Sequence, residues 1–156
     1  EISLGLVGSE MCIRDRNDIN RKAVQGLKVA KGQEGYIEPV TECLEEAGQF
    51  SCWRPVAVYD GEKLIGFAMY CRWKDSPHER VWLDRLLIDA RYQGKGYGKA
   101  CLSKLLERLK AEYGCGEIYL SVFPENKVAI RLYEEFGFRF NGEKDIHNED
   151  VMVLVC

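Results

Sequence analysis

The sequence predicts one α/β domain in which helices flank a mixed central sheet. Strand-like runs and amphipathic helical runs alternate through the second half of its 156 residues, an order that favours a sheet covered by helices. The dipeptide Asp60-Gly61 separates two apolar runs, which predicts an antiparallel hairpin. The largely apolar run 80–88 is typical of a strand in the centre of a sheet.

Residues 1–16 are set apart from this fold. They show no clear period, and residues 5–16 resemble a common sequencing adapter translated in frame. We therefore expect residues 1–16 to be a non-native leader that replaces the natural N-terminus, and residues 17–156 to form a single domain. The alternative is a genuine short strand at residues 2–7, which an uninterrupted genomic reading frame would support.

Two helices are predicted ahead of the hairpin. The first spans residues 18–30 and would bury the face made of Ile19, Ala23, Leu27 and Val29. The second spans residues 39–49, with Pro39 near its start and Gly48 near its end. Its acidic residues, together with the preceding Glu38, form the set Glu38, Glu42, Glu45 and Glu46. Such a set is ordinarily a solvated helix face; the alternative is an acidic track that contacts a long polycation.

The remaining elements follow the same local signals. The hairpin covers residues 55–73, and a helix from about 96 to 113 carries an apolar stripe of Leu102, Leu105, Leu106 and Leu109. A strand at 117–123 precedes a helix for which Asn126 is a good N-cap and Gly137 a good C-cap. Two strands, 138–145 and 149–155, finish the chain.

Composition excludes several classes of protein. The net charge of −3 argues against nucleic acid as a main partner and is compatible with a cationic substrate. No window approaches the ~20 apolar residues that span a bilayer, so no membrane partner is expected. Seven cysteines form no Cys-x-x-Cys pair, which favours isolated thiols in a reducing cytoplasm over disulfides or a metal site.

The stretch RYQGKGYGKA places Gly94, Gly96 and Gly98 at alternate positions just before a helix. Glycine is a poor helix former, so a different requirement must explain it. A strand, a glycine-rich turn and a helix together make an anion site, because unpaired N–H groups converge where the helix dipole is positive. The sequence therefore predicts a phosphate-binding turn.

Two well-known phosphate motifs do not fit this spacing. The P-loop requires a leading glycine and a final hydroxyl residue, and the chain has Gln93 and Ala100 at those positions. The dinucleotide fingerprint needs a third glycine where the chain has Lys99 or Cys101. The pattern that remains is Q-x-x-G-x-G, from Gln93 to Gly98.

This pattern resembles the pyrophosphate-binding signature of the GNAT superfamily of acyl-CoA-dependent N-acetyltransferases. The downstream block NKVAIRLYEEFGF is similar to a second block of that superfamily, and residues 18–156 look like bacterial spermine/spermidine (polyamine) acetyltransferases. The resemblance implies the GNAT fold, whose central sheet is mixed and mostly antiparallel. Such proteins begin with a strand, so the first strand would here be missing or replaced by the leader.

The resemblance also implies a cosubstrate, acetyl-CoA, and the residues that bind it. The pyrophosphate would lie on the backbone N–H groups of Gly94, Lys95, Gly96, Tyr97, Gly98 and Lys99, with Gln93 and Lys99 close by. The pantetheine arm would pair with the backbone of Leu86, Leu87 and Ile88 like an added strand. Asn126 would bind the cosubstrate near the same arm.

Two residues receive catalytic roles from the resemblance. Tyr133 would donate a proton to the leaving thiolate; the alternative is a core aromatic that shares a face with Ala129, Leu132 and Phe136. Asp84 would attract the cationic amine and accept its proton directly or through water. The alternative for Asp84 is a structural pairing with Arg85 or another cation.

The predicted function is transfer of an acetyl group from acetyl-CoA to a primary amine of a polyamine by direct attack on the thioester, in the cytoplasm. The sequence is compatible with a homodimer and leaves the oligomeric state open. One alternative keeps this mechanism with another acceptor: an amino acid, a peptide or protein amine, or an aminoglycoside. A second alternative is a non-catalytic module that only binds acyl-CoA.

Overall fold

The computed structural model describes residues 10–17, 19–74 and 79–156. The strands in this part of the chain are β1 (Met11–Asp15), β2 (Arg54–Asp60), β3 (Lys63–Trp73), β4 (Arg80–Ile88), β5 (Glu117–Val122), β6 (Arg139–Lys144) and β7 (Asp150–Val155). The α-helices are α1 (Arg21–Gln25), α2 (Val40–Gln49), α3 (Tyr97–Tyr113) and α4 (Lys127–Glu135), and a short 3-10 turn spans Ala90–Tyr92.

The strands form one sheet in the order β1-β2-β3-β4-β5-β7-β6. Neighbouring strands run antiparallel except β4 and β5, which run parallel, and this confirms the mixed, mostly antiparallel sheet. The predicted hairpin is confirmed, with Asp60 opposite Lys63 and Gly61 in the left-handed region at φ 60°. The central position predicted for residues 80–88 is also confirmed, because β4 is the middle strand.

Helices pack on both faces of the sheet. On one face, Val24 of α1 and Cys43 of α2 pack against Phe67 and Met69 of β3. On the other face, the side chains of β3 that alternate with these two pack against the leucine stripe of α3. Strand side chains alternate between faces, so each apolar strand supplies residues to both layers.

The edge strand β1 comes from the segment expected to be a leader. It pairs with β2 from Met11 opposite Asp60 to Asp15 opposite Val56. Asp15 also accepts a hydrogen bond from Arg108 of α3, at 2.6 Å. Residues 11–15 therefore occupy the first-strand position, whereas the alternative strand at 2–7 lies outside the described residues. The non-native origin of the leader stays a prediction.

The prediction for the first helix is wrong in extent and face. Its first residue, Asp18, lies outside the described residues, Ile19 is 93% exposed, and α1 spans only 21–25. The Asn17 side chain accepts hydrogen bonds from the N–H groups of Ile19 and Asn20, which holds this segment in a turn. Gly26 ends the helix, so the buried Leu27 lies beyond it.

The later helices agree with their predicted bounds. Pro39 precedes α2, and Gly96 is the N-cap of α3. Asn126 caps α4 by accepting a hydrogen bond from the Ala129 N–H at 3.4 Å, and Gly137 follows that helix with φ 99°. Within the described ranges, no helix is long and apolar enough to cross a bilayer, and no group of three or more His, Cys, Asp or Glu side chains is placed to hold a metal ion.

Candidate active site

A cleft of about 490 Å³ opens where β4 and β5 separate. The two strands pair only at Trp82 opposite Tyr119, so they diverge toward their carboxyl ends. In the part of the chain that the structure describes, residues 83–88 therefore have a paired edge toward β3 and an unpaired edge toward the cleft. Unpaired strand edges present alternating N–H and C=O groups to an extended ligand. Leu86, Leu87 and Ile88 all line the cleft there.

The glycine turn forms one end of the cleft. Gly94 and Gly96 have φ values of 73° and 86°, a left-handed conformation that only glycine adopts without strain. A Cβ on Gly98 would lie 3.4 Å from the Leu132 side chain, which marks the close approach of α3 and α4. Two of the glycines therefore satisfy the backbone conformation, and the third lies where two helices meet.

The N–H groups at the start of α3 are free to bind an anion. The first backbone hydrogen bond into the helix runs from the Ala100 N–H to the Gly96 carbonyl. Across the described ranges, the N–H groups of residues 94–99 donate no hydrogen bond to a protein acceptor. A helix of 17 residues begins at this point, so its dipole adds positive potential. Gly94, Gly96, Gly98 and Lys99 line the cleft.

Two side chains of this turn, those of Gln93 and Tyr97, make hydrogen bonds within the protein. Gln93 donates hydrogen bonds of 2.9 Å to Gln33 Oε1 and to the Ile88 carbonyl, which joins the turn to β4. Tyr97 is buried and donates a 2.6 Å hydrogen bond to Asp60. The side chains of Lys95 and Tyr97 lie away from the cleft lining, so their predicted contribution is limited to backbone N–H groups.

Tyr133 of α4 lines the cleft and also packs on the core. Its ring meets Phe138 edge-on, with the ring centroids 5.8 Å apart. Burial, followed by the negative charge of Glu149, raises the pKa of Tyr133 to about 12. The hydroxyl therefore stays protonated at neutral pH and is available as a proton donor. The catalytic and core interpretations of this residue are compatible in the structure.

Asp84 lines the same cleft and also has the structural partner that the sequence left open. Its carboxylate contacts the guanidinium of Arg85. Arg85 in turn binds Glu38 at 2.8 Å and Glu46 at 3.0 Å. Three carboxylates thus surround one guanidinium, whose side chain is only 13% exposed. Apart from Glu46, these residues line the cleft, and the cluster carries an excess of negative charge.

Two acidic residues of the β6–β7 loop, Asp145 and Glu149, were not predicted as site residues from the sequence. Glu149 lines the cleft, and its N–H and that of His147 each donate a 2.9 Å hydrogen bond to Asp145. Burial raises the pKa of Glu149 to about 8, and a hydrogen bond to Asp145 with that residue's charge adds to the shift. Burial alone would raise the pKa of Asp145, but hydrogen bonds from Glu149 and the backbone outweigh it and lower the pKa. No sequence pattern marks an acidic residue in a polar loop as part of a site.

Asn126 completes the set of predicted residues in the cleft lining. Its carbonyl oxygen caps α4, while its amide group can still donate two hydrogen bonds. Beside it, Phe123 and Tyr36 approach with ring centroids 6.1 Å apart and form part of the wall. The structure therefore brings the proposed phosphate turn, the strand edge, Tyr133 and the acidic cluster to one cleft.

Comparisons with known proteins agree with this architecture. The profile of the acetyltransferase (GNAT) family matches residues 20–138. A spermine/spermidine N(1)-acetyltransferase of Bacillus subtilis (strain 168) is 48% identical over 145 residues, which cover 90% of this chain and 95% of that protein. A probable spermine N(1)-acetyltransferase of Bacillus subtilis subsp. natto is 47% identical over the same shares.

Solved structures match the fold over nearly the whole chain. A spermidine N-acetyltransferase from Vibrio cholerae in complex with CoA and spermine has a TM-score of 0.75 at 22% identity, covering 94% of this chain and 96% of that one. An aminoglycoside acetyltransferase in complex with coenzyme A also has a TM-score of 0.75, at 18% identity, covering 93% and 94%. At such identities the agreement is one of fold.

Proposed function

Because this chain belongs to the GNAT family of acetyltransferases, we propose that it transfers the acetyl group of acetyl-CoA to a primary amine of a polyamine such as spermidine or spermine. The 48% identity to the Bacillus subtilis enzyme supports the choice of acceptor. The observation that carries the proposal is that one cleft joins an anion-binding glycine turn to an acidic cluster. These two features suit a diphosphate and a polycation respectively.

The residues of the cleft fit acetyl-CoA. The N–H groups of 94–99 have no other acceptor in the described chain, and a Cβ built on Gly94 or Gly96 would meet nothing within 4 Å. A diphosphate can therefore approach this backbone closely. The unpaired edge of 86–88 would hold the pantetheine arm through main-chain hydrogen bonds, with Asn126 beside it. Acetyl-CoA supplies an acetyl group activated as a thioester.

An N–H on the β4 edge would polarise the acetyl carbonyl. Such a donor is effective because it is already oriented and lies in a partly dry site. Tyr133, which lines the same cleft, would give its proton to the departing sulfur. Its pKa of about 12 keeps the hydroxyl protonated for that step across the neutral range.

The acidic cluster would draw the amine into the cleft. Asp84, Glu38 and Glu46 outnumber the single Arg85 guanidinium that they contact. An alkylammonium approaching this cluster meets a net negative potential. The amine must still lose a proton before it attacks, which costs about 4–5 kcal/mol at pH 7 for a pKa near 10.4. Asp84 is proposed to hold the cation in place. Its contact with Arg85 makes it a poor acceptor for the proton that the resemblance assigns to it, so proton removal needs a further acceptor.

The thiol released from acetyl-CoA tests this function directly. We expect release with spermidine and spermine, and much slower release with lysine, a peptide amine or an aminoglycoside. Faster release with a peptide or an aminoglycoside would move the acceptor class while keeping the chemistry. Absence of release with every amine, in protein that binds acetyl-CoA, would favour a non-catalytic acyl-CoA module.

A cytoplasmic, bacterial setting and a homodimer belong to the same proposal. All seven cysteines are free thiols, which suits a reducing compartment. The similar curated enzymes named above are bacterial. The edge strand β6 leaves Phe140 48% exposed, an apolar surface that a second copy could cover. Light scattering of the purified chain measures whether the homodimer forms.

A further inference from the structure

Acetyl transfer to a polyamine leaves one proton without an assigned acceptor. The ammonium must lose a proton before the neutral nitrogen attacks the thioester, so that a C–N bond forms as the C–S bond breaks. The second proton leaves the nitrogen once the bond has formed and replaces the one that Tyr133 gives to the sulfur. One proton therefore goes to a base and finally to solvent. Four acidic residues line the described part of the cleft, and three of them are ion-paired: Glu38 and Asp84 with Arg85, and Glu135 with Lys99. Two are candidates for that role: Asp84, to which the resemblance assigns it, and Glu149, whose charge acts on Tyr133.

We propose that Glu149, held in place by Asp145, accepts the proton that the acceptor ammonium loses before it attacks. This inference rests on the proposed acetyltransferase function. Glu149 lines the main cleft together with Tyr133 and Ser121. It also lines an adjoining cavity of about 270 Å³, so the residue lies between the two cavities.

Asp84 is the weaker candidate because its carboxylate is already engaged. Arg85 contacts it directly, and the same guanidinium is fixed by Glu38 and Glu46. Taking up a proton there would break an ion pair in a largely buried cluster. Glu149 makes no salt bridge to a cation within the described ranges. Protonating it therefore leaves no cation unpaired.

The loop that carries Glu149 is built to position it. Asp145 donates its N–H to the Glu149 carbonyl at 3.0 Å, and its carboxylate accepts the Glu149 N–H at 2.9 Å. Asn148, one of the three residues between them, has φ 63°, a left-handed position that closes this turn. The two acidic residues are thus fixed by main-chain bonds. Asp145 acts as a positioning residue, since it touches Glu149 and does not line the cleft.

The charges around Glu149 favour its protonated form until a cation arrives. The groups that face it are Asp145 and His147 of its own loop, Tyr133 of α4, Asp84 and Arg85 of β4, and Glu34 and Glu38 of the loop before α2. Acidic groups predominate, and only the Arg85 charge lowers the pKa of Glu149 among the main causes of its shift. An incoming ammonium adds positive charge and so promotes the ionised form that can act as a base.

The resulting proton affinity suits the reaction. Transfer from an alkylammonium with a pKa near 10.4 to an ordinary glutamate is unfavourable by about 10⁶-fold. With the pKa of Glu149 at about 8, the same transfer is unfavourable by only about 10²- to 10³-fold. A general base is most effective when its pKa lies near the working pH. Glu149 meets that condition under mildly alkaline conditions.

The test compares Glu149→Gln and Glu149→Asp with Glu107→Gln as the matched control. Glu107 is 69% exposed on α3, away from the cleft, so its variant should behave as wild type. For wild type, kcat/KM for spermidine should rise with pH and level off above about pH 8. Glu149→Gln should lose about 10²-fold in kcat/KM and lose this rise, with acetyl-CoA affinity unchanged by calorimetry. Glu149→Asp should recover part of the activity.

Two further measurements separate a proton acceptor from a structural role. Asp145→Asn should move the rise of the pH profile to lower pH, because removing the neighbouring negative charge lowers the pKa of Glu149. A primary amine that is already neutral at the assay pH should react almost equally well with Glu149→Gln and with wild type. If Glu149 had only a structural role, Glu149→Gln would slow the reaction of both amines to the same extent. The pH profile of kcat/KM for Asp145→Asn would then match that of wild type.

The inference is overturned if Glu149→Gln acetylates spermidine within about threefold of wild type over the same pH range. It is also overturned if the neutral amine loses as much rate as spermidine. Wild type that releases no thiol with any polyamine removes the proposed function, and this inference falls with it. If wild type acetylates polyamines and Glu149→Gln does so equally well, the inference about Glu149 fails and the proposed function stands.

Discussion

Gly96→Ala tests whether the bare backbone of the glycine turn holds the diphosphate. Gly96 has φ 86° and ψ 3°, and a Cβ there would meet nothing within 4 Å. The methyl group therefore creates no clash inside the protein. Its effects come from the left-handed backbone, which costs an L-residue roughly 1–2 kcal/mol, and from its position on the cleft wall.

The magnitude follows from that penalty. If acetyl-CoA requires the turn in its present shape, the variant must supply roughly 1–2 kcal/mol on binding, and affinity falls roughly 5- to 30-fold. Where the turn keeps its shape in the free protein, the same strain appears as lower stability, with a melting temperature reduced by about 2–4 °C for each kcal/mol. Calorimetric titration with acetyl-CoA and thermal unfolding measure the two effects on one sample.

Gly48→Ala is the matched control for this variant. Gly48 lies in α2, a Cβ there also meets nothing within 4 Å, and the residue does not line the cleft. The added methyl should raise helix stability by up to about 1 kcal/mol and leave acetyl-CoA binding unchanged. If Gly96→Ala binds acetyl-CoA as tightly as Gly48→Ala does, and melts no earlier than wild type, the turn is not the diphosphate site.

Three further predictions follow from the same structure. Tyr133→Phe should lower kcat by about 10²-fold or more with acetyl-CoA affinity unchanged by calorimetry; unchanged turnover would exclude its hydroxyl as the proton donor. Asp89 is 3% exposed and accepts hydrogen bonds from Lys28 and Arg91, so Asp89→Asn should cost about 1–3 kcal/mol in unfolding free energy. Those bonds lower the pKa of Asp89 below its ordinary value of 3.8 despite burial. The advantage of wild type over Asp89→Asn in unfolding free energy should therefore be lost as the pH falls below about 4. The raised pKa of Glu149, about 8 against an ordinary 4.5, stabilises the fold at low pH and loses that contribution as pH rises toward 8; denaturant titrations should show a flatter profile for Glu149→Gln.

The phosphate turn could be predicted because its causes are local. Left-handed backbone at Gly94 and Gly96 excludes most other residues, so the chemistry of the turn is visible in the residue types themselves. The cap at Asn126 and the leucine stripe of α3 are equally local signals. The elements that frame this end of the cleft therefore follow from the sequence.

The acidic end of the cleft depends on tertiary structure and could not be predicted in the same way. Arg85 meets Glu46 from a position 39 residues away. Glu149 reaches the cleft only because β7 inserts between β5 and β6 in the sheet, which no periodicity reveals. The prediction of the first helix failed for a different reason. The Asn17 side chain stabilises a turn where the apolar pattern predicts the first turn of a helix.

A comparison of two ligands in one calorimeter tests the central claim most directly. Wild-type protein is titrated with acetyl-CoA and, separately, with acetyl-pantetheine, which carries the same thioester and arm but lacks the diphosphate and the phosphorylated adenosine attached to it. Because the N–H groups of 94–99 at the start of α3 are the proposed anion site, the account predicts that acetyl-CoA binds at least about 100-fold more tightly. Equal affinity for the two ligands would contradict it.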